Sequence, residues 1–325
     1  MAMLSRFHRT NSCVRFWTLA LIFNFAFASS GPAQQIPATT IAEHIAQDRL
    51  RIQQAELQHL PDARVGYLWA VLAAEYRQAG EFAESEDAYF KAMKFLDHGS
   101  ASAANYATVL DNLAMLYLVY GRMDEAELYN RRSAKIRRSL GNPLDEARGE
   151  QHMAEIHLAR HKFKLVEEEA ARALAVMEQV DDPEKLDMVS ALNALAFARC
   201  SRRRCEQGLQ DAQHSVALAT SFFGEESTPV AHAWMAVGYA EWKLGRMDEA
   251  DRAMRLGIRM MKTQAGGESR MVLLAMMEYR NFLKSAHRDR DAEQVIQEIS
   301  QLVQQQAPMC ATCVNVRTLV SNAMR

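Results

Sequence analysis

From residue 63 to residue 300, apolar side chains return every three or four positions, the period that gathers them on one face of an α-helix. Leu110, Leu113, Ala114 and Tyr117 make one such face, and Ala126, Tyr129, Ser133 and Ile136 make a second. Between them lies Gly121-Arg-Met-Asp-Glu-Ala-Glu, and nearly the same string, Gly245-Arg-Met-Asp-Glu-Ala-Asp, returns further along. Aligning the intervening segments on this turn places it at Gly80, Gly121, His161, Arg203, Gly245 and His287, in steps of 41, 40, 42, 42 and 42 residues. The pattern predicts six helix-turn-helix units. Small residues recur where two backbones would approach: Ala73, Ala114, Ala154, Ala196 and Gly238 in the first helices, Ala126 and Ala250 in the second. A period of this length marks an array of supersecondary units, each too small to bury its apolar face alone.

The turn chemistry fits a helix ending and another beginning. Glycine tolerates the left-handed conformation that closes a helix, and carboxylates suit the positive end of the next helix dipole, so Asp124, Glu125, Asp248 and Glu249 read as helix-start residues rather than catalytic acids. At Trp234-x-x-Val-Gly238…Gly245-x-x-x-x-Ala250 and Leu113-Ala114-x-x-Tyr117-x-x-x-Gly121 the chain resembles the tetratricopeptide repeat. The step near 42 residues and the connectors Leu140-Gly-Asn-Pro143 and Phe223-Gly-Glu-Glu-Ser-Thr-Pro229 are similar to the longer kinesin-light-chain subtype. The resemblance implies an all-α, right-handed superhelix of about six repeats over residues 63–300. Residues 34–62 form a linker and an N-terminal capping helix, Ile41 to Leu60, with 34–40 loose. Residues 301–325 are expected to hold a C-terminal capping helix, Pro308 to Met324, with the Cys310–Cys313 pair. The terminal helices cover apolar faces that end units would expose.

The first 33 residues differ from the rest. Arg6, Arg9 and Arg15 precede an uncharged run, Phe16 to Ala28, and then small residues, the parts of a secretory signal. The run is short for a membrane span, which takes about 20 apolar residues; the expectation is an exported chain, periplasmic or extracellular, with no membrane insertion after cleavage, and an uncleaved anchor as the alternative. Without the leader, 35 cations face 40 carboxylates, a net charge of −5 with only short basic patches such as Arg131-Arg132 and Arg202-Arg203-Arg204, so nucleic acid is not an expected partner.

The resemblance also places partner contacts on the first helix of each unit, along a concave groove. The corresponding positions are Arg77 in the first unit; Asp111 and Met115 in the second; Arg148, Gln151 and Glu155 in the third; Asn193 and Phe197 in the fourth; Met235, Tyr239 and Trp242 in the fifth; and Asn281 and Lys284 in the sixth. Mixed polarity with aromatics suits an unidentified extended peptide or protein surface, and Tyr239 and Trp242 are of the type enriched at binding hot spots. Packing between neighbouring repeats is the competing role.

Other chemistry is sparse. His157 and His161 have metal-ligand spacing on one helix, but no third ligand accompanies them and His157 takes a core position, so no metal is expected. Cys200 and Cys205 straddle the fourth turn, and Cys310-Ala-Thr-Cys313 carries the redox dithiol spacing; disulfides are the expectation for both pairs, with metal binding or thiol exchange open for the second. Phosphate-cradling loops and nucleophile elbows are missing from the sequence. Together these features predict a non-catalytic interaction scaffold without a cofactor. The alternatives are a thiol-redox factor centred on Cys310 and Cys313, and a self-assembling module.

Overall fold

The computed structural model describes residues 38–96, 102–180, 185–265 and 270–306. Among these residues the fold is all-α, with thirteen helices and no strand. Helix α1 (Ala38–Leu57) leads into six antiparallel hairpins: α2 (Asp62–Ala79) with α3 (Phe82–Leu96), α4 (Ala103–Val119) with α5 (Met123–Leu140), and α6 (Pro143–Ala159) with α7 (Phe163–Met177). These are followed by α8 (Leu186–Ser201) with α9 (Cys205–Phe223), α10 (Thr228–Lys243) with α11 (Met247–Ala265), and α12 (Arg270–Ser285) with α13 (Asp289–Gln306). The array of helix-turn-helix repeats expected from the sequence is the observed architecture. Helix α1 begins at Ala38, three residues before Ile41, so the end of the expected loose linker is helical. The leader segment, the helix expected from Pro308, and Cys310 with Cys313 lie outside the described residues.

All six hairpin turns share one backbone solution. One residue in each turn takes a positive φ: Gly80 at 77°, Gly121 at 76°, His161 at 57°, Arg203 at 64°, Gly245 at 78° and His287 at 58°. Each donates its N–H to the carbonyl three residues back, and the next residue donates five residues back. Gly245 to Trp242 at 3.0 Å with Arg246 to Glu241 at 2.9 Å, and His287 to Lys284 at 3.1 Å with Arg288 to Leu283 at 2.9 Å, are examples. This paired closure satisfies carbonyls that would otherwise be orphaned at the helix end. The second helices then open without a side-chain cap at Arg122, Lys162 and Arg204, and Asp124, Glu125, Asp248 and Glu249 sit in the first turns of α5 and α11, where the dipole favours a carboxylate.

The small residues mark where each hairpin closes. Ala73, Ala114, Ala126, Ala154 and Ala250 are fully buried. A Cβ added to Gly208 would meet the Ala196 carbonyl oxygen at 2.7 Å, and one added to Gly238 would meet Met254 Cγ at 2.5 Å. In the first hairpin, Ser85 fits the same place by donating its hydroxyl to the Ala73 carbonyl at 2.6 Å. Leu72, Leu110, Leu113, Leu116 and Ile156 fill the space around these contacts with essentially no exposure, and each such burial is worth about 1.5–3 kcal/mol.

Within five of the hairpins the turn is three residues long, and in the α2–α3 hairpin it is two; between hairpins the connection varies from two residues, after α5, to eight, after α7. The chain divides within α8 into two compact units, one running to Leu195 and the other from Ala196. Each is described by itself below. No described helix is long and apolar enough to cross a membrane.

Candidate functional site

In the unit that ends at Leu195, the first-helix faces carry buried charge. Asp111 of α4, 1% exposed, accepts from Arg137 Nε at 2.9 Å and Nη2 at 2.7 Å. His152 Nδ1 lies 3.6 Å from the same carboxylate, and Asn130 Nδ2 donates to it at 3.3 Å. Burial opposes ionisation of Asp111, but Arg137, His152 and Ser133 outweigh it and hold the carboxyl below the usual carboxylate range. Burial likewise opposes charging of His152, and Asp111 overcomes it, raising the imidazole. Arg137 continues to Asp145 at 3.3 Å, and Arg148 Nε donates to Asp187 at 3.0 Å. Beside this network Gln151 donates to Glu155 at 3.2 Å, and burial pushes the Glu155 carboxyl up to about 8.

The unit from Ala196 is built differently. Phe197 of α8 and Tyr239 of α10 have ring centroids 4.5 Å apart; Tyr239 meets Trp242 edge-on at 6.1 Å, Trp242 meets Phe282 of α12 at 6.0 Å, and Phe282 stacks on Tyr279 at 5.9 Å. The Lys243 ammonium stands 3.9 Å from the Trp242 ring centroid, within cation–π range. Tyr239 and Ser201 share a hydroxyl contact at 3.4 Å, and burial pushes the Tyr239 phenol up to about 12. Glu278, one turn before Phe282 and fully buried, is pushed up to about 7 by burial, with Lys243 pulling the other way.

Of the thirteen first-helix positions predicted to face a groove, nine are buried: Arg77, Asp111, Met115, Gln151, Glu155, Asn193, Phe197, Met235 and Tyr239. Among them, Asp111 is paired with Arg137 and Phe197 is packed against Tyr239. Arg148, Trp242 and Asn281 are half-buried, and Lys284 is exposed. Trp242, Asn281 and Lys284 share a unit with Lys243, which is also exposed. Sequence reasoning missed Arg137, His152, Lys243 and Glu278. The signal for Lys243 was its place beside Trp242, and for Glu278 a lone charge in the apolar run Met276-Met277-Glu278-Tyr279. His157, read as a core residue, is buried with its Nδ1 2.7 Å from Glu169. Cys200 and Cys205 have Cα atoms 4.0 Å apart and their sulfurs within bonding reach, across the turn where Arg203 stands in place of glycine.

No family model and no curated protein matches the chain. Solved structures do resemble it. Cut9, from the Cut9–Hcn1 hetero-tetramer of the APC/C, aligns with a TM-score of 0.58 at 15% identity, over 86% of this chain and 46% of that one. A Rap protein complexed with Competence and Sporulation Factor aligns at 0.55 and 11% identity, covering 82% and 77%. BtubC (BKLC) from P. vanneervenii aligns at 0.53 and 18% identity, covering 73% and 94%. At such identities the likeness is one of fold, and these neighbours are tetratricopeptide-repeat solenoids. The chain shares their all-α, helix-turn-helix repeat architecture.

Proposed function

We propose that this chain is a non-catalytic interaction scaffold that holds an extended peptide or a protein segment against the first-helix face of α10 and α12. The observation that carries the reading is Trp242: its indole is half-buried, seated between Tyr239 and Phe282, with the Lys243 ammonium on its ring. A rigid aromatic with a fixed cation beside it contributes contact area at little entropic cost, which is how interface hot spots work. Asn281 and Lys284 extend the accessible patch with a two-way hydrogen-bonding group and a second cation, while the buried Tyr239, itself packed on Phe197, supports Trp242. Among the similar structures, Cut9 is assembled with Hcn1 and a Rap protein is complexed with Competence and Sporulation Factor, which supports a holding role on this fold. Export through the leader would put Cys200 and Cys205 where a disulfide persists, pinning the fourth turn.

The test is peptide display selection against the purified chain, followed by anisotropy titration of the selected peptides. Trp242→Ala should weaken them about tenfold or more, the loss of at least 1.4 kcal/mol that separates a hot spot from its surroundings. Peptides that bind wild type and Trp242→Ala equally would refute the assignment.

A further inference from the structure

One cleft in the unit from Ala196 lies away from the first-helix aromatic patch. It measures about 870 Å³ and opens between the second helices α11 and α13, floored by α12. Its floor is apolar: Leu256 and Ile258 of α11, Met276 and Leu283 of α12, and Val295 of α13. One wall is a cationic row, Arg252, Arg255, Arg259 and Lys262, all on α11. Successive members are three, four and three residues apart, so they stand one above another along a single helix face.

The opposite wall answers only part of that row. Its two carboxylates are Asp291 and Glu298. Asp291 is held by Arg288 at 2.7 Å, from outside the cleft, and Glu298 contacts Lys262. Arg255 reaches Asp251 at 3.2 Å and the Tyr279 hydroxyl at 2.8 Å, and Arg252 reaches Glu249 at 3.1 Å. The side chains of Arg252 and Arg255 are 72% and 60% exposed, so their pairs lie in the high-dielectric surface regime where an ion pair is worth about 0–1 kcal/mol and is readily exchanged for another carboxylate. Four cations and two carboxylates therefore line one apolar-floored cleft, and one of the two carboxylates is already held from outside it.

The geometry points to a second docking surface: we propose that the α11–α13 cleft takes an acidic amphipathic helix of a partner protein, whose apolar stripe meets Leu256 and Val295 and whose flanking carboxylates meet Arg252, Arg255, Arg259 and Lys262. The length of the row selects this occupant. From Arg252 to Lys262 the helix rises roughly 15 Å, so a compact anion would reach one or two of the four cations. An elongated partner reaches them all. A helix also repeats its side chains every three to four residues, the same interval as the row, which an extended strand with its period of two does not.

A labelled peptide of about 16 residues, long enough for four turns, supplies the probe: leucine along one stripe, glutamate flanking it at intervals of three and four, alanine elsewhere. Its counterpart carries lysine for glutamate. The glutamate peptide should bind saturably and weaken as ionic strength rises, and Arg259→Glu with Lys262→Glu should weaken it about tenfold or more, since opposed like charges across an interface are strongly unfavourable. Arg259 is exposed and Lys262 half-buried, and an unchanged circular dichroism spectrum would verify the fold. Trp242→Ala should leave this binding as it is, which separates the cleft from the first-helix site. Equal binding of the lysine peptide, indifference to the charge reversals, or the absence of saturation would overturn the proposal. So would displacement by millimolar sulfate, which would mark a small-anion site, and so would self-association blocked by the same reversals, which would make the occupant a second copy of this chain.

Discussion

The two units are written in one repeat and walled with different chemistry. Up to Leu195 the first-helix face is organised by charge, with Asp111, Arg137, His152, Asp145, Arg148 and Asp187 joined through contacts of 2.7 to 3.7 Å. From Ala196 it is organised by rings, Phe197, Tyr239, Trp242 and Phe282 in succession. The backbone requirements of the hairpin fall on the turn and on the small closing residues, so the neighbouring first-helix positions are free to differ. The physical properties then differ too. A buried ion pair penalises any single change because the survivor is left charged in a dry site, whereas a ring cluster loses area and leaves a cavity.

The largest effect that separates the two walls should come from breaking the pair. Asp111→Ala should destabilise the chain by about 3–5 kcal/mol in urea unfolding, and replacing Asp111 and Arg137 together with Leu and Met should recover most of it. If the double replacement is as damaging as the single one, the network contributes stability in its own right. In the ring wall, Phe282→Leu should cost less, roughly 1 kcal/mol, because most of the buried volume is kept.

Titration gives the next contrast. In Glu155 and Glu278 the folded carboxyl sits at about 8 and about 7, above the ordinary value of 4.5. The folded chain therefore retains protons that the unfolded chain has released, and stability falls as pH rises from 4.5 through each raised value. Glu278→Gln should remove the part of that decline that ends near pH 7, worth on the order of 1–3 kcal/mol, and leave the part near pH 8. Unfolding curves recorded from pH 5 to 9 would reveal it, and an unchanged slope would mean that Glu278 is solvated in solution. The smallest effect should be the same in both units. His161→Gly and His287→Gly should each stabilise by about 0.5–1 kcal/mol, since glycine takes a positive φ without the steric penalty. Unequal gains would show that the shared turn is less independent of its wall than its geometry implies.

The repeat was legible because both of its signals are local. A turn that demands positive φ and a closing pair of small residues recur at fixed spacing, so even His161, Arg203 and His287 could be aligned on their neighbours. What covers each first-helix position was less legible. Burial of a first-helix position depends on the helix of the next unit, about 40 residues away, as it does for Phe197 against Tyr239. Periodicity says which face a residue occupies and nothing of what covers that face. Arg137 was hidden for the same reason: it lies on a second helix, 26 residues from the carboxylate it holds. The cationic row of α11 was written in plain view, but only the open cleft beside it separates a docking surface from a solvated one.

The uneven connections between hairpins bear on how such a chain can change. Turns inside the hairpins differ by a single residue, while the links between them range from two residues to eight. An insertion within a turn would rotate one helix against its partner and disturb every contact in the pair. One placed after α7 or α3 would fall outside both hairpins that it joins. The hairpin is therefore the indivisible unit of this protein, and the joints between hairpins are where a lineage, or a protein engineer, could add, delete or exchange parts without rewriting the rest.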